Sequence, residues 1–328
     1  MTLVLSDKDV REIGNVATLV NDIERALRAE AAGPGMVLPE RLNLAHDATM
    51  LRVMPAILPA TGLLGLKLFY GALNTGIRYT VMVCSLLDGE VLALVDAAYL
   101  TALRTGATSG VATRHLARPD SRSVGLIGSG LEAETNLAAV CAVRPVETVR
   151  VYSRNAARRE NFAARMGERL RVRIEPVERP EDAVDGTDIV VVATNTGRGG
   201  PPAYLGRWLQ PGQHVVSIGS TAMFLREIDV EALVRPDVVV FDARCEQVRD
   251  ESGDVAALAA EHPQWTCTGL LEDVLRGTVR RRDAQQITMF KSVGTAAQDL
   301  VAGHSIYEQA LTRGAGLVVP DINEPKQF

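Results

Sequence analysis

Residues 125–138 read GLIGSGLEAETNLA, an apolar run that turns through two glycines into a helix. Gly128 and Gly130 fall at the turn, and Ala133 takes the third small position of a G-x-G-x-x-G/A pattern. The first glycine permits the tight turn, and the second lets a pyrophosphate reach the backbone. The small third residue lets helix and strand close up, with the phosphates held at the helix N-terminus. Alone the pattern is weak. Here it follows an apolar strand (SVGLIG), opens a helix (LEAETNLAAVCAV) and is followed by a second strand (ETVRVYS). The expectation is a dinucleotide site built on Gly128, Ser129, Gly130, Leu131, Glu132 and Ala133.

Outward toward the C-terminus the rhythm continues as helix (AARRENFAARM) and strands (DIVVVAT, HVVSIGS, DVVVFD), before a final helix through TAAQDLVAGHSIYEQAL. Continuous apolar strands alternating with helices predict an α/β fold with a doubly wound parallel sheet covered on both faces. In the other direction, LTALRTGATSGVATRHLA (Leu100–Ala117) is helical and stops at Pro119-Asp120-Ser121. Before it, Met36–Val95 is a series of short apolar runs. The hairpin TVMVCSLLDGEVLALVDA turns at Asp88-Gly89. Ser6 to about Gly33 reads as one helix, capped by Ser6 with Asp9 three residues on and with Val10, Ile13, Val16, Val20, Ile23 and Leu27 at helical spacing. This half is expected to be an antiparallel sheet laid against that helix. The expected domains are 1–119 with 300–328, for substrate binding and dimerisation, and 120–299, for NAD(P).

Composition narrows the function classes. The 328 residues suffice for two packed units, 47% are hydrophobic and 23% charged, and the formal net charge is -5. Basic residues are scattered apart from Arg280–Arg282, which reads as a solvated turn, so no nucleic-acid partner is expected. The N-terminus is charged by its seventh residue, and no run approaches the ~18 apolar residues of a membrane span, so no membrane is expected. Cys84, Cys141, Cys245 and Cys267 form no CxxC pair and lie at no zinc-ligand spacing. Free thiols in a cytoplasmic protein without a metal are the expectation.

Four stretches carry a more specific signal: LKLFYGALNTG, LTALRTGATSG, GLIGSGLEA and ITMFKSVGTAAQDL. Through them the chain resembles the ornithine cyclodeaminase/mu-crystallin family, in the family's order from about Pro39 to Tyr307. The resemblance implies a Rossmann domain and an N-terminal α+β sheet domain to which the last helix returns, pairing as a homodimer. It also implies hydride exchange at a carbon–nitrogen centre beside a carboxylate, on a small imine, keto acid or amino acid. At PERLNL, LGLKL and LTALRT it places Arg41, Lys67 and Arg104 around the substrate, and it adds Thr80. On the nucleotide side it adds Thr105, Thr194, Asn195, Thr196, Gly219 and Ser292.

The residue chemistry agrees with those roles. A planar guanidinium grips a carboxylate through two parallel hydrogen bonds, so Arg41 and Arg104 form a clamp. Lys67 lies in the apolar run LLGLKLF. Facing a closed site, it would lose solvation and its pKa would fall toward the ~7–8 useful in proton transfer; on an edge strand it would point at water instead.

Two positions separate the chain from the cyclodeaminases it resembles. Those enzymes carry a glutamate before the Met-Pro of the first domain, where LRVMPA has Arg52. They also carry an aspartate after the fifth strand, where SIGSTAMF has Thr221. Reversing the charge at the first position disfavours a cationic diamine. Arg52 is either an outward strand residue or a contact for a second anionic group. An oxidoreductase is therefore preferred to a cyclodeaminase or to a non-catalytic binding protein like some mu-crystallins. NADP(H) is the preferred cofactor, with NAD(H) also usable. The second strand ends in Ser153, Arg154 and Asn155, with Arg158 and Arg159 just beyond, and no acidic side chain comes before Glu160 to bond a ribose 2′-hydroxyl.

Overall fold

The structure is a computed structural model, and it describes residues 1–72, 75–320 and 326. Leu73 and Asn74 of the LKLFYGALNTG motif, and residues 321–325, 327 and 328 of the expected first domain, lie outside the described residues. In chain order the elements are β1 (Thr2–Leu5), α1 (Asp7–Ile13), α2 (Val16–Ala32), β2 (Leu42–His46), β3 (Thr49–Leu58), β4 (Leu63–Ala72), β5 (Gly76–Ser85), β6 (Val91–Asp96) and α3 (Ala98–Leu116). There follow β7 (Ser123–Ile127), α4 (Leu131–Val143), β8 (Thr148–Tyr152), α5 (Ala156–Leu170), β9 (Arg173–Pro176), α6 (Pro180–Val184), β10 (Ile189–Val192) and β11 (His214–Ser217). The chain continues through α7 (Val230–Val234), β12 (Val238–Phe241), α8 (Cys245–Glu251), α9 (Gly253–Glu261), β13 (Gly269–Leu270), α10 (Leu271–Arg276), β14 (Thr288–Lys291), α11 (Ala296–Arg313) and β15 (Leu317–Val319). Two compact units result, Met1–Arg104 with Thr295–Phe328, and Thr105–Gly294. Their division falls inside α3, ahead of the turn at Pro119 where the sequence suggests a boundary.

The first unit is a seven-stranded sheet ordered β15-β1-β6-β5-β4-β3-β2. It is mixed rather than wholly antiparallel, because β1 pairs parallel with β6. The hairpin at Asp88-Gly89 forms as expected, with β5 antiparallel to β6 and Gly89 at φ 78°. The single N-terminal helix does not form. Ser6 and Asp9 make the capping box, but α1 ends at Gly14 and Asn15 caps a new helix by accepting from the Thr18 amide at 3.1 Å. The sheet is also covered differently. The C-terminal helix α11 lies on β3–β6, and α2 packs against α11.

The second unit is an eight-stranded sheet ordered β13-β12-β14-β11-β10-β7-β8-β9, with every pairing parallel. Its direction of winding reverses at β7, which lies between β8 and β10. In open parallel sheets the crevice beyond the strand C-termini at such a reversal binds ligands. The core is apolar and continuous through Val190, Val192, Val215, Val239, Phe241 and Met289. One expectation fails here. Cys245 and Cys267 are bonded as a disulfide, with Cα atoms 6.6 Å apart and a sequence separation of 22, a spacing that no local motif marks. Cys84 and Cys141 are free thiols, and burial pushes the Cys141 thiol up to about 12. Among the described residues no helix is long and apolar enough to cross a membrane.

Candidate active site

Lys67 sits on β4, between β3 and β5 and so not at a sheet edge, and its side chain is wholly buried. Side chains two apart on a strand share a face. Gly65 marks which face this is, since a Cβ there would press on Leu300 of α11 at 2.9 Å. Lys67 Nζ donates to Asp299 Oδ1 at 2.8 Å. The same oxygen accepts from Arg104 Nε at 2.9 Å, while Arg104 Nη1 donates to Gln298 Oε1 at 3.0 Å. The helix start explains the placement of this acceptor pair. Thr295 and Gln298 form the capping box of α11, so Asp299 falls in its first turn, where the helix dipole favours a negative charge.

Two opposing effects act on the charge of Lys67. Burial alone would favour the neutral amine, but a carboxylate oxygen at 2.8 Å favours the ammonium. The Phe69 and Tyr79 ring centroids, 4.9 and 5.6 Å from Nζ, reinforce that charge. Arg104 is likewise held, through Nε by Asp299 and through Nη1 by Gln298.

Strand register locates the other candidates. Arg52 pairs with Phe69, and Met54 pairs with Lys67, so Arg52 shares the face of Lys67. Arg52 Nε donates to Asn43 Oδ1 at 2.6 Å, and its guanidinium lies 5.4 Å from the Phe69 ring centroid. Both cations therefore address the same ring. Arg41 stands one residue before β2, and continuing the β2–β3 register sets it opposite Met54, in line with Lys67. Thr80 is not brought in. Val81 and Val83 face α11 beside Gly303, so Thr80 points the other way, where its hydroxyl lies 3.3 Å from that of Tyr70.

In the second unit the nucleotide candidates gather at the C-terminal ends of the strands. Gly128 has φ 125°, and a Cβ there would strike the Ala193 carbonyl, so a glycine is required. At Gly130 a Cβ would meet nothing within 4 Å. That open space lies at the N-cap of α4, which has no side-chain cap, and its first-turn amides can take an anion. Leu131 is exposed there, and buried Ala133 closes the helix onto the strand. Glu132 also lies in that first turn. The cradle thus fits a pyrophosphate. Ser129 donates to Ser153 at 2.9 Å after β8, and Arg154 Nη2 donates to the Asn195 carbonyl at 3.2 Å. Arg158 is exposed in the first turn of α5, which carries no acidic residue. Thr194, Asn195 and Thr196 follow β10, Gly219 follows β11, and Ser292 follows β14, donating to Asp242 at 2.6 Å. Thr105 is buried on α3.

Sequence reasoning missed Gln298 and Asp299, although T-A-A-Q in the quoted motif is itself a capping-box signature. It also missed a second buried ionic group of Glu227, Asp254 and Lys291, drawn from the loop before α7, from α9 and from β14.

The sequence profile of the ornithine cyclodeaminase/mu-crystallin family matches residues 1–314. The Delta(1)-pyrroline-2-carboxylate reductase of Bacillus cereus is 30% identical over 332 residues, spanning 96% of this chain and 98% of its own. The ketimine reductase mu-crystallin of Mus musculus is 30% identical over 315 residues, spanning 93% of this chain and 96% of its own. Among solved structures, Thermococcus litoralis Delta(1)-pyrroline-2-carboxylate reductase in complex with NADH and L-proline matches with a TM-score of 0.88 at 33% identity. That match covers 97% of this chain and 100% of that one.

Proposed function

The chain belongs to the ornithine cyclodeaminase/mu-crystallin family, and from that premise we propose that it is an NAD(P)H-dependent oxidoreductase acting on a carbon–nitrogen centre beside a carboxylate. In the reducing direction it converts a small imino acid to an amino acid. The observation that carries this reading is the buried Lys67 ammonium held by Asp299 on a sheet face that also bears Arg52. When bound, the dinucleotide supplies a hydride to the imine carbon. The residues of the first unit supply the rest. Arg41 pairs with the substrate carboxylate, and the Lys67 ammonium gives its proton to the imine nitrogen and is reprotonated from solvent. Asp299 holds Lys67 and Arg104 at fixed positions, so neither must reorganise as charge moves.

A panel of imines tests this reading and separates it from the alternatives. Consumption of NADPH with α-imino acids supports it. Ammonia released from ornithine, without net change in the nucleotide, indicates a cyclodeaminase, and tight binding without turnover indicates a binding protein. Arg52 argues against the diamine, because a guanidinium on the face of Lys67 repels a second ammonium. We assign Arg52 to a second anionic group on the substrate. Arg52→Glu should leave an imine of a monocarboxylate almost unaffected and raise KM for an imine of a dicarboxylate. Equal effects on the two would refute the assignment.

For the cofactor we propose NADPH over NADH. Arg154 and Arg158 are exposed, and α5 opens without an acidic residue, so basic side chains stand at the positive end of its dipole. A 2′-phosphate would relieve that arrangement through charge-assisted hydrogen bonds. One such contact corresponds to about ten- to a hundredfold in kcat/KM. Arg154→Asp should reverse the preference, and a wild type working better with NADH would overturn the proposal.

We also propose that the protein works as a cytoplasmic homodimer. The sheet face away from α11 is apolar, with Leu42, Leu44 and Tyr70 exposed at 53%, 51% and 38%. The edge strand β2 is open along its length. A second copy of the same face would cover both.

A further inference from the structure

The second unit contains a lysine that the mechanism does not use. Lys291, the last residue of β14, is fully buried and pairs in register with Ser217, the last residue of β11. Its Nζ donates to Ser217 Oγ at 3.0 Å and lies 3.1 Å from Asp254 Oδ2 and 4.0 Å from Glu227 Oε2. Asp254 in turn accepts the Glu227 and Ile228 amides on Oδ1, at 2.8 and 3.2 Å, which fixes the segment that presents Glu227.

Glu227 is where this arrangement acts. Its Oε1 accepts from the Thr194 amide at 2.7 Å and the Thr194 hydroxyl at 3.1 Å. Its Oε2 accepts from the Gly219 amide and the Ser217 hydroxyl, both at 2.7 Å. Thr194 lies in the loop after β10 and Gly219 in the loop after β11, at the strand ends where the nucleotide candidates gather. Each oxygen faces a backbone N–H, so only a carboxylate satisfies both. A carboxamide would turn an NH₂ toward one of the two loops. Burial pushes the Glu227 carboxyl up, and the Lys291 ammonium offsets that shift only in part. The fit leaves no spare room, because a Cβ at Gly219 would strike both the Glu227 carboxylate and the Thr194 carbonyl.

We propose that Glu227 is a positioning residue for the dinucleotide: an ionised carboxylate, countered by Lys291, that fixes the Thr194 and Gly219 loops before the nucleotide arrives. The inference rests on the reading that this unit binds NAD(P)H. Two loops preset in their bound form cost less ordering on binding. The role concerns the nucleotide as a whole, so NADPH and NADH are affected alike.

Titration of nucleotide fluorescence tests it. Glu227→Gln should raise the Kd for both NADPH and NADH by about tenfold or more, the equivalent of one lost charge-assisted hydrogen bond. KM for the imine at saturating nucleotide should stay within about twofold, since the Lys67 group is untouched. Gly219→Ala, which leaves every charge in place, should raise the same Kd values and serves if Glu227→Gln does not fold. In the unmodified protein without nucleotide, the Thr194 and Gly219 amides should already exchange slowly with deuterium. Folded variants that bind NADPH like the wild type would overturn the proposal, as would free exchange of those two amides before NADPH is added. A wild type that binds neither nucleotide would instead overturn the functional reading beneath it.

Discussion

Lys67→Met is expected to lower kcat by about 10²–10⁴-fold, the range for loss of a positioned acid. The Kd of the nucleotide should be almost unchanged. Methionine fills nearly the same volume in the apolar surroundings of β4, so the fold is kept and the loss is chemical. Asp299 retains Arg104 as a partner at 2.9 Å and is not left as a lone buried charge. Measured kcat and nucleotide titration decide the point together. A variant with near wild-type turnover would remove Lys67 from the chemistry, and one that no longer binds NADPH would make it structural.

Asp299→Asn attacks the same cluster from the other side, and its largest effect is on stability. Lys67 and Asp299 are each fully buried, and one carboxylate neutralises Lys67 together with Arg104. Its removal takes from both cations the carboxylate oxygen that they share. Breaking a buried pair in this way costs about 3–5 kcal/mol. The urea midpoint should fall markedly, and kcat should fall with it in the fraction that remains folded. Lys67→Met combined with Asp299→Asn should recover part of the stability, because one of the two cations that shared the carboxylate is then gone. A single Asp299→Asn variant as stable as wild type would mean that Lys67 is neutral in the folded protein.

The contrast between these two residues shows what could be read from the sequence. Lys67 was named because LGLKL resembles a motif of the family, and its place in the apolar run LLGLKLF agreed with that role. Asp299 was not, because its partner is 232 residues away and an aspartate early in a helix has an ordinary explanation. The same holds for the fold. The hairpin at Asp88-Gly89 and the turn at Gly128 were legible, since turn chemistry is local. β14 was not, because its four residues are TMFK and the lysine masks a strand that is buried throughout. Thr80, supplied by the resemblance, lies on the face opposite Lys67, since on a strand one residue of shift moves a side chain across. The break at Gly14 lost to a helical pattern that continues on both sides of it. The arginine readings depended on register, and the pairing of β3 with β4 brought Arg52 onto the face of Lys67.

The central claim is that a hydride passes from the nucleotide to a carbon bonded to nitrogen and next to a carboxylate. Mass spectrometry of the product formed from a cyclic α-imino acid and NADPH deuterated at the transferring position of the nicotinamide tests it directly. The account predicts one deuterium per product molecule, located on the carbon between nitrogen and carboxylate, and oxidised nucleotide formed in equal amount. Product without deuterium at that carbon, or turnover that leaves the nucleotide unchanged, would contradict it.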